Sequence, residues 1–372
     1  MTADERFMRR ALVLAARGGN ATHPNPLVGA VVVSGGRIVG EGYHRVLGGP
    51  HAEVVALRRA GARAQGATLY VTLEPCAHVG RTPPCVHAVR ASGVRRVVAA
   101  MVDPNPLTLG RGLAKLRASG IQTSVGLLEA EARRLNPVFV TAMERKRPVV
   151  TAKIAQSLDG KIATVTGRSR WISSPQTRRF AHQLRAEVDA ICVGVRTVLR
   201  DDPLLSNRLS AKGESAKAVG RQPVKVILDS QLRTPTTARI FSRQSPAPVI
   251  VATTSRASAR SAERLRRLGA TVLVQPARWG SQRIRWQWLC GELWRRQILH
   301  LLIEGGGEVL ASALAERVVD RCYWIVAPMV VGGRTAPTSV GGDGVPTLER
   351  AWRFGEWQLR RLGPDLLVTI DV

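Results

Sequence analysis

Apolar strand-like runs alternate with amphipathic helical stretches along nearly the whole chain, interrupted once at Glu144-Arg145-Lys146-Arg147-Pro148. That alternation constrains the architecture strongly. Segments whose apolar period switches between two and about 3.6 residues bury their faces best as helices layered on a sheet. Before the charged joint, a helix is expected near the start, with Phe7, Met8, Ala11, Leu12 and Ala15 on one stripe. A hairpin over 30–33 and 37–43 turns around Ser34-Gly35-Gly36. Strands over 67–73, 95–101 and 121–126 then alternate with helices over 51–60, 85–92, 110–119 and 129–143. After the joint, strands are expected at 149–155, 190–195, 224–228, 249–253, 271–274, 300–303, 321–326 and 366–371. Helices follow Pro175 and lie near 309–315. At 372 residues the chain is too long for one typical domain, so the reading is two α/β domains, 1–147 and 148–372. Residues 209–221 are polar and read as a surface excursion.

Composition narrows the class. With 45% hydrophobic and 22% charged residues, the chain has the apolar content of a folded protein. No window approaches ~18 uninterrupted apolar residues, so no spanning helix is expected. The start, MTADERFMRR, has no apolar leader core. Five cysteines in 372 residues make no disulfide framework, and a cytoplasmic enzyme with reduced thiols is expected. The formal charge is +28, from 55 basic and 27 acidic residues. Such an excess can draw polyanions. Yet residues 1–147 hold 21 basic and 9 acidic residues and the remainder 34 and 18, so the excess is spread as +12 and +16. With 48 Arg against 7 Lys, the pattern reads as compositional bias, and anionic small molecules are expected as ligands rather than nucleic acid. A segment that interleaves Trp279, Trp286, Trp288 and Trp294 with arginines can stack bases, or form a helix that buries Trp against the sheet or a neighbouring subunit; packing or interface is the preferred reading. Cys192, Cys290 and Cys322 sit in apolar surroundings and read as inert packing residues.

The chemistry-bearing pattern of the first half is His51-Ala52-Glu53, then Pro75-Cys76, then Pro84-Cys85. One histidine and two cysteines supply three zinc ligands and leave a fourth position open. Glu53, near a helix start, can serve a water activated there without ligating the metal. H-x-E followed by P-C matches the zinc nucleobase-deaminase signature, apart from a second cysteine nine residues after the first rather than three. In the second half, Glu304-Gly305-Gly306-Gly307 follows an apolar strand and precedes a helix, a turn that can present backbone N–H groups to a diphosphate. It is not G-x-G-x-x-G, so a standard Rossmann domain is not indicated.

The run from Glu74 through Cys85, EPCAHVGRTPPC, closely resembles the pyrimidine deaminase half of the bifunctional riboflavin-biosynthesis enzyme family, as do Thr22-His23-Pro24-Asn25-Pro26-Leu27-Val28-Gly29 and Gly42-Tyr43-His44. Residues 150–161 (VTAKIAQSLDGK), Ser169-Arg170-Trp171-Ile172-Ser173 and Val198-Leu199-Arg200-Asp201-Asp202-Pro203 resemble its reductase half. The resemblance implies a cytidine-deaminase-like three-layer α/β/α domain followed by a dihydrofolate-reductase-like α/β domain. It implies one zinc ion per chain on His51, Cys76 and Cys85, with Glu53 catalytic, and Asn25, His44, His78 and Arg81 around the deaminase substrate. It implies NADPH contacts from Ala155, Trp171, Thr197, Asp201, Ser230 and the turn Gly306, Gly307, Glu308, Val309, Leu310, Ala311 and Ser312. Lys153, Ser169, Arg185, Leu205, Arg208 and Glu304 would hold the reductase substrate, with Arg185 and Arg208 on its phosphate and Glu304 on sugar hydroxyls. The implied activity is zinc-dependent deamination of 2,5-diamino-6-ribosylamino-4(3H)-pyrimidinone 5′-phosphate, then NADPH-dependent reduction of its ribosyl group to ribityl, by a homo-oligomer. The rival readings are an RNA-editing nucleobase deaminase and a deaminase with a non-catalytic second domain.

Overall fold

The computed structural model describes residues 1–80, 82–210, 213–214, 221–244, 246–280 and 282–372. The chain divides into two units, Met1–Lys146 and Arg147–Val372. In the first, Thr2 caps helix α1 (Ala3–Ala16) in a reciprocal box with Glu5. The Val-rich strands β1 (Gly29–Ser34) and β2 (Arg37–Tyr43) form the hairpin. Then come α2 (Ala52–Ala60), β3 (Thr68–Val71), α3 (Cys85–Ala91), β4 (Arg96–Ala99), α4 (Arg111–Ala118), β5 (Gln122–Val125), α5 (Glu129–Leu135) and α6 (Pro137–Arg145). The sheet order is β2-β1-β3-β4-β5, antiparallel at β2/β1 and β1/β3 and parallel thereafter.

Alternation along the strands makes three layers. Ala30 and Val32 face a core shared with Ala52, Ala56, Val86, Val89, Leu113 and Leu116 of α2, α3 and α4. Gly29, of opposite parity, lies against α1, where a Cβ would stand 2.1 Å from the Ala11 carbonyl oxygen. Gly42 lets α2 approach as closely, since a Cβ there would meet the Ala52 oxygen at 2.4 Å. The helix expected over 129–143 is two helices. Pro137 has no N–H with which to continue α5. The Asn136 side chain instead accepts from Leu27 N at 2.7 Å and donates to Leu27 O at 2.9 Å.

The second unit begins with β6 (Val149–Ser157), α7 (Pro175–Glu187), β7 (Ala190–Gly194) and α8 (Val195–Asp201). Of the excursion at 209–221, the described part pairs β8 (Leu209–Ser210) with β9 (Gly213–Glu214); 211–212 and 215–220 lie outside the described residues. There follow β10 (Val224–Leu228), β11 (Val249–Thr254), α9 (Ala259–Arg267), β12 (Thr271–Gln275), α10 (Trp286–Arg295), β13 (His300–Ile303), α11 (Gly307–Ala315), β14 (Arg321–Ala327), β15 (Trp357–Leu362) and β16 (Asp365–Asp371). The order β12-β11-β10-β7-β13-β6-β14-β16-β15 is parallel from β12 to β14 and ends in two antiparallel strands. Both faces are buried, as a parallel sheet requires. Ala190, Cys192, Val226 and Ile250 pack with α10 and α11, while Ile191, Val193, Ile227 and Val251 pack with α7, α8 and α9. The aromatic–arginine segment is largely core: Trp286 and Trp288 are buried, and Trp286 Nε1 donates to Ser312 Oγ at 2.9 Å. Cys192, Cys290 and Cys322 lie in the same core, where burial pushes the Cys290 and Cys322 thiols up to about 12. The helices over 195–201 and 259–267 and the edge strand over 357–362 have no counterpart in the sequence reading.

Candidate active sites

In the first unit, helix starts and a strand end converge. His51 immediately precedes α2, Glu53 sits in its first turn, and Cys85 is the first residue of α3. Cys76 lies on the loop that leaves β3. His51 Nδ1 is 3.1 Å from Cys85 Sγ and 3.6 Å from Cys76 Sγ, and the three donor atoms lie within 4.8 Å of one another. Ligand atoms around tetrahedral zinc, at Zn–N about 2.0 Å and Zn–S about 2.3 Å, stand roughly 3.5–3.8 Å apart, so the donor set fits the ion. The Cys85 N–H donates to Cys76 Sγ at 3.3 Å. Cys76 is held well below the ordinary thiol range, first by a hydrogen bond from Cys85 and then by His51. His51 Nε2 faces Thr82 Oγ1 at 3.2 Å, a second partner that orients the ring with Nδ1 toward the sulfurs.

Glu53 is buried beside this set. Burial, followed by the nearby Cys76 thiolate, raises its pKa to about 7. His44 is buried with its ring 5.2 Å from that of His51. Its Nδ1 meets Pro50 O at 3.2 Å and its Nε2 meets Asn25 Nδ2 at 3.2 Å. The assignment satisfying both is a neutral ring that donates from Nδ1 and accepts at Nε2. Burial lowers the pKa of His44 and favours that form. His78 Nδ1 faces Thr108 Oγ1 at 3.2 Å. Arg81 lies outside the described residues.

Three groups here escape sequence reasoning. Glu74, next to Pro75-Cys76, is a buried carboxylate that accepts four backbone N–H groups. They come from Asp103 and Gly110 on Oε2 and from Gly112 and Leu113 on Oε1, at 2.8–3.1 Å. Asp103 is also buried, and its pKa is raised to about 7, chiefly by burial. Thr82 is an ordinary loop threonine until the fold sets it against His51. Glu74 and Thr82 both lie in the family-like run, but no role was read for either from the sequence.

The second unit carries a cleft of about 1280 Å³ at the C-terminal ends of the parallel strands, above the roughly 300–1,000 Å³ of ordinary small-molecule pockets. Ala155, Trp171, Thr197, Asp201 and Ser230 all line it. So do Gly306, Gly307, Glu308, Val309, Leu310 and Ser312 of the glycine turn and α11, whereas Ala311 does not. Gly305 and Gly306 take φ of +136° and +87°, which side chains rarely adopt, so the turn can bring backbone N–H groups against a diphosphate. The cleft therefore fits a dinucleotide.

Beside the turn, Glu304 is buried between Arg185, whose Nε is 2.7 Å from Oε2, and Lys153, whose Nζ is 3.6 Å from Oε1. Burial opposes the Glu304 charge, but the two cations outweigh it and hold its carboxyl below the usual range. Arg185 Nη1 donates to Ser206 O at 3.0 Å. Ser169 Oγ donates to Asp201 Oδ1 at 3.3 Å, the Arg208 backbone N–H donates to His182 Nδ1 at 3.4 Å, and Arg208 Nη2 lies 3.5 Å from His182 Nε2. Lys153, Ser169, Arg185, Arg208 and Glu304 all line the cleft. Leu205 does not. It is 4% exposed and packs in the core with Leu184 and Ile227.

A three-ligand zinc set with a buried carboxylate against it, on a chain that also carries a dinucleotide-sized α/β cleft, defines a zinc-dependent deaminase joined to a nucleotide-dependent reductase. Known proteins agree. Residues 1–101 match the cytidine and deoxycytidylate deaminase zinc-binding region, and residues 148–368 the RibD C-terminal domain. The riboflavin biosynthesis protein RibD of Aquifex aeolicus is 44% identical over 98% of this chain and 97% of its own, and that of Escherichia coli 43% identical over 99% of each. Among solved structures, Acinetobacter baumannii RibD superposes with a TM-score of 0.83 at 36% identity, covering 99% of this chain and 98% of that one. A diaminohydroxyphosphoribosylaminopyrimidine deaminase/5-amino-6-(5-phosphoribosylamino)uracil reductase from Thermotoga maritima gives 0.77 at 34%, with the same coverage. The chain belongs to the RibD family. It is a bifunctional deaminase and reductase of riboflavin biosynthesis, dependent on zinc and NADPH. Full-length matching of both halves does not favour the RNA-editing or scaffold readings. Among the described residues, no helix is long and apolar enough to cross a membrane.

Proposed function

We propose that the first unit deaminates 2,5-diamino-6-ribosylamino-4(3H)-pyrimidinone 5′-phosphate, and that the second reduces the ribosyl group of the product to ribityl. The observation that carries the first step is the burial of Glu53 against the His51–Cys76–Cys85 set. Zinc, when held there, supplies a Lewis acid that brings the pKa of water towards about 7. Glu53 takes a proton from the attacking water and delivers it to the departing amine, a role open to a buried carboxylate set against the donor group. Asn25, bonded to a neutral His44, reads the pyrimidine edge. His78 and Arg81 serve the ribose phosphate.

In the second unit NADPH supplies the hydride. The turn at Gly306 and Gly307 and the start of α11 hold its diphosphate, with Thr197, Ser230 and Trp171 along the cleft. Lys153 and Arg185 fix the Glu304 carboxylate so that it accepts from sugar hydroxyls, and Arg208 takes the phosphate. The enzyme works in the cytoplasm as a homo-oligomer, with no nucleic-acid partner.

Zinc-replete protein supplied with the diaminopyrimidine ribosyl phosphate tests the whole scheme when ammonia release and NADPH oxidation are followed in one tube. Ammonia followed by NADPH loss is expected, with both absent in Glu53→Gln. Ammonia without NADPH loss would sink the reductase assignment alone.

A further inference from the structure

His182 lines the same cleft as Lys153, Arg185 and Glu304, yet the scheme above gives it no role. It stands on α7 three residues before Arg185, so the two side chains share one face of the helix. The start of α7 is fixed, since the buried Asp365 carboxylate accepts from Ser174 N at 2.8 Å and from Thr177 Oγ1 at 2.6 Å. His182 is 7% exposed, and both of its ring nitrogens meet Arg208. The backbone N–H of Arg208 can only donate, so Nδ1, which receives it at 3.4 Å, carries the lone pair and the ring proton sits on Nε2. Burial first, then the charges of Arg185 and Arg208 with a smaller push from Lys153, lower the pKa to about 4 against the single opposing pull of Glu304. The ring is therefore neutral, with Nε2–H fixed as a donor.

Arg208 Nη2 lies 3.5 Å from that nitrogen. Two donors face each other there, and neither can accept from the other. One oxygen standing about 2.9 Å from each would serve both. Arg185 directs Nε to Glu304 and Nη1 to the Ser206 carbonyl, so a phosphate monoester, with three acceptor oxygens, needs donors beyond Arg208. We infer that His182 is a substrate-binding residue of the reductase, whose Nε2–H joins Arg208 in holding an oxygen of the ribosyl phosphate. A neutral imidazole adds this bond without adding another cation to Lys153, Arg185 and Arg208. The inference rests on the reductase reading, because it presumes that the phosphorylated substrate occupies this cleft.

The test measures the reductase step alone on the full-length, zinc-replete protein, with 5-amino-6-(5-phosphoribosylamino)uracil and NADPH, and with inorganic phosphate as a competing probe. His182→Phe keeps the bulk of a ring and removes both nitrogens. It should raise the KM for the phosphorylated substrate and the inhibition constant of phosphate roughly 10- to 100-fold each, as loss of a hydrogen bond to a charged group predicts. Its dissociation constant for NADPH should stay within about twofold of wild type, which also shows that the variant folds. His182→Gln, whose amide can donate from the place of Nε2–H, should recover part of both losses. An unchanged KM, a raised KM with unchanged phosphate inhibition, a parallel loss of NADPH affinity, or no recovery in His182→Gln overturns the inference while leaving the reductase reading intact. If the wild-type protein oxidises no NADPH with this substrate, the reductase reading fails and this inference with it.

Discussion

Glu74→Gln tests whether the zinc loop is held in place by a carboxylate rather than by packing alone. Each Glu74 oxygen serves two backbone N–H groups, Oε2 those of Asp103 and Gly110 and Oε1 those of Gly112 and Leu113. Whichever way a glutamine amide is placed, its NH₂ faces two donors, so two charge-assisted bonds are lost at about 1.5–3 kcal/mol each. The loss of about 3–6 kcal/mol corresponds to an opening equilibrium roughly 10²- to 10⁴-fold larger for the segment from Asp103 to Leu113. Gly112 gives an independent handle, because a Cβ there would lie 1.9 Å from the Pro75 oxygen and push on the residue before Cys76. Hydrogen–deuterium exchange of the zinc-loaded protein, read on peptides covering 103–113, is the assay. Fast exchange confined to those peptides is expected for Glu74→Gln, with Gly112→Ala lowering zinc affinity in parallel. Protection within about threefold of wild type would refute the assignment of these four bonds to Glu74.

Thr82→Ala leaves His51 Nε2 without its partner and should lower zinc affinity about 10- to 100-fold in a chelator competition. Glu304→Gln strands Arg185 and Lys153 beside each other without a counter-charge, and should cost about 3–5 kcal/mol in denaturant unfolding of the reductase unit. His182 has its pKa lowered to about 4 by burial and then by Arg185 and Arg208. Between pH 6.5 and 4 the unfolded chain therefore binds more protons at this residue, so its contribution to stability falls as pH falls through that window. The gap in thermal midpoint between wild type and His182→Gln should accordingly change between pH 6.5 and 4 and stay constant above pH 6.5.

Much of the molecule was legible because its signals are local. Val-rich runs bounded by glycine and proline mark strands wherever the chain folds, and a zinc site built on His51, Cys76 and Cys85 needs residue types that little else requires together. The four-residue strands β3, β4 and β5 are shorter than their apolar runs suggested, since pairing with neighbours and not hydrophobicity sets where a strand ends. Leu205, placed at the substrate by resemblance, goes instead to the core with a left-handed φ of +51°.

Residue order and type thus determined the α/β class, the joint near Arg147 and the choice of His51, Cys76 and Cys85 as a donor set, which the fold brings together. Tertiary structure alone decided what surrounds them. Glu74 meets Leu113 across 39 positions, Arg185 meets Glu304 across 119, and Thr82 meets His51 across 31. A carboxylate's partners at such separations leave no trace in periodicity or composition. They depend on where the sheet ends and the helix starts come to rest, and those positions are set by burial of the whole core at once.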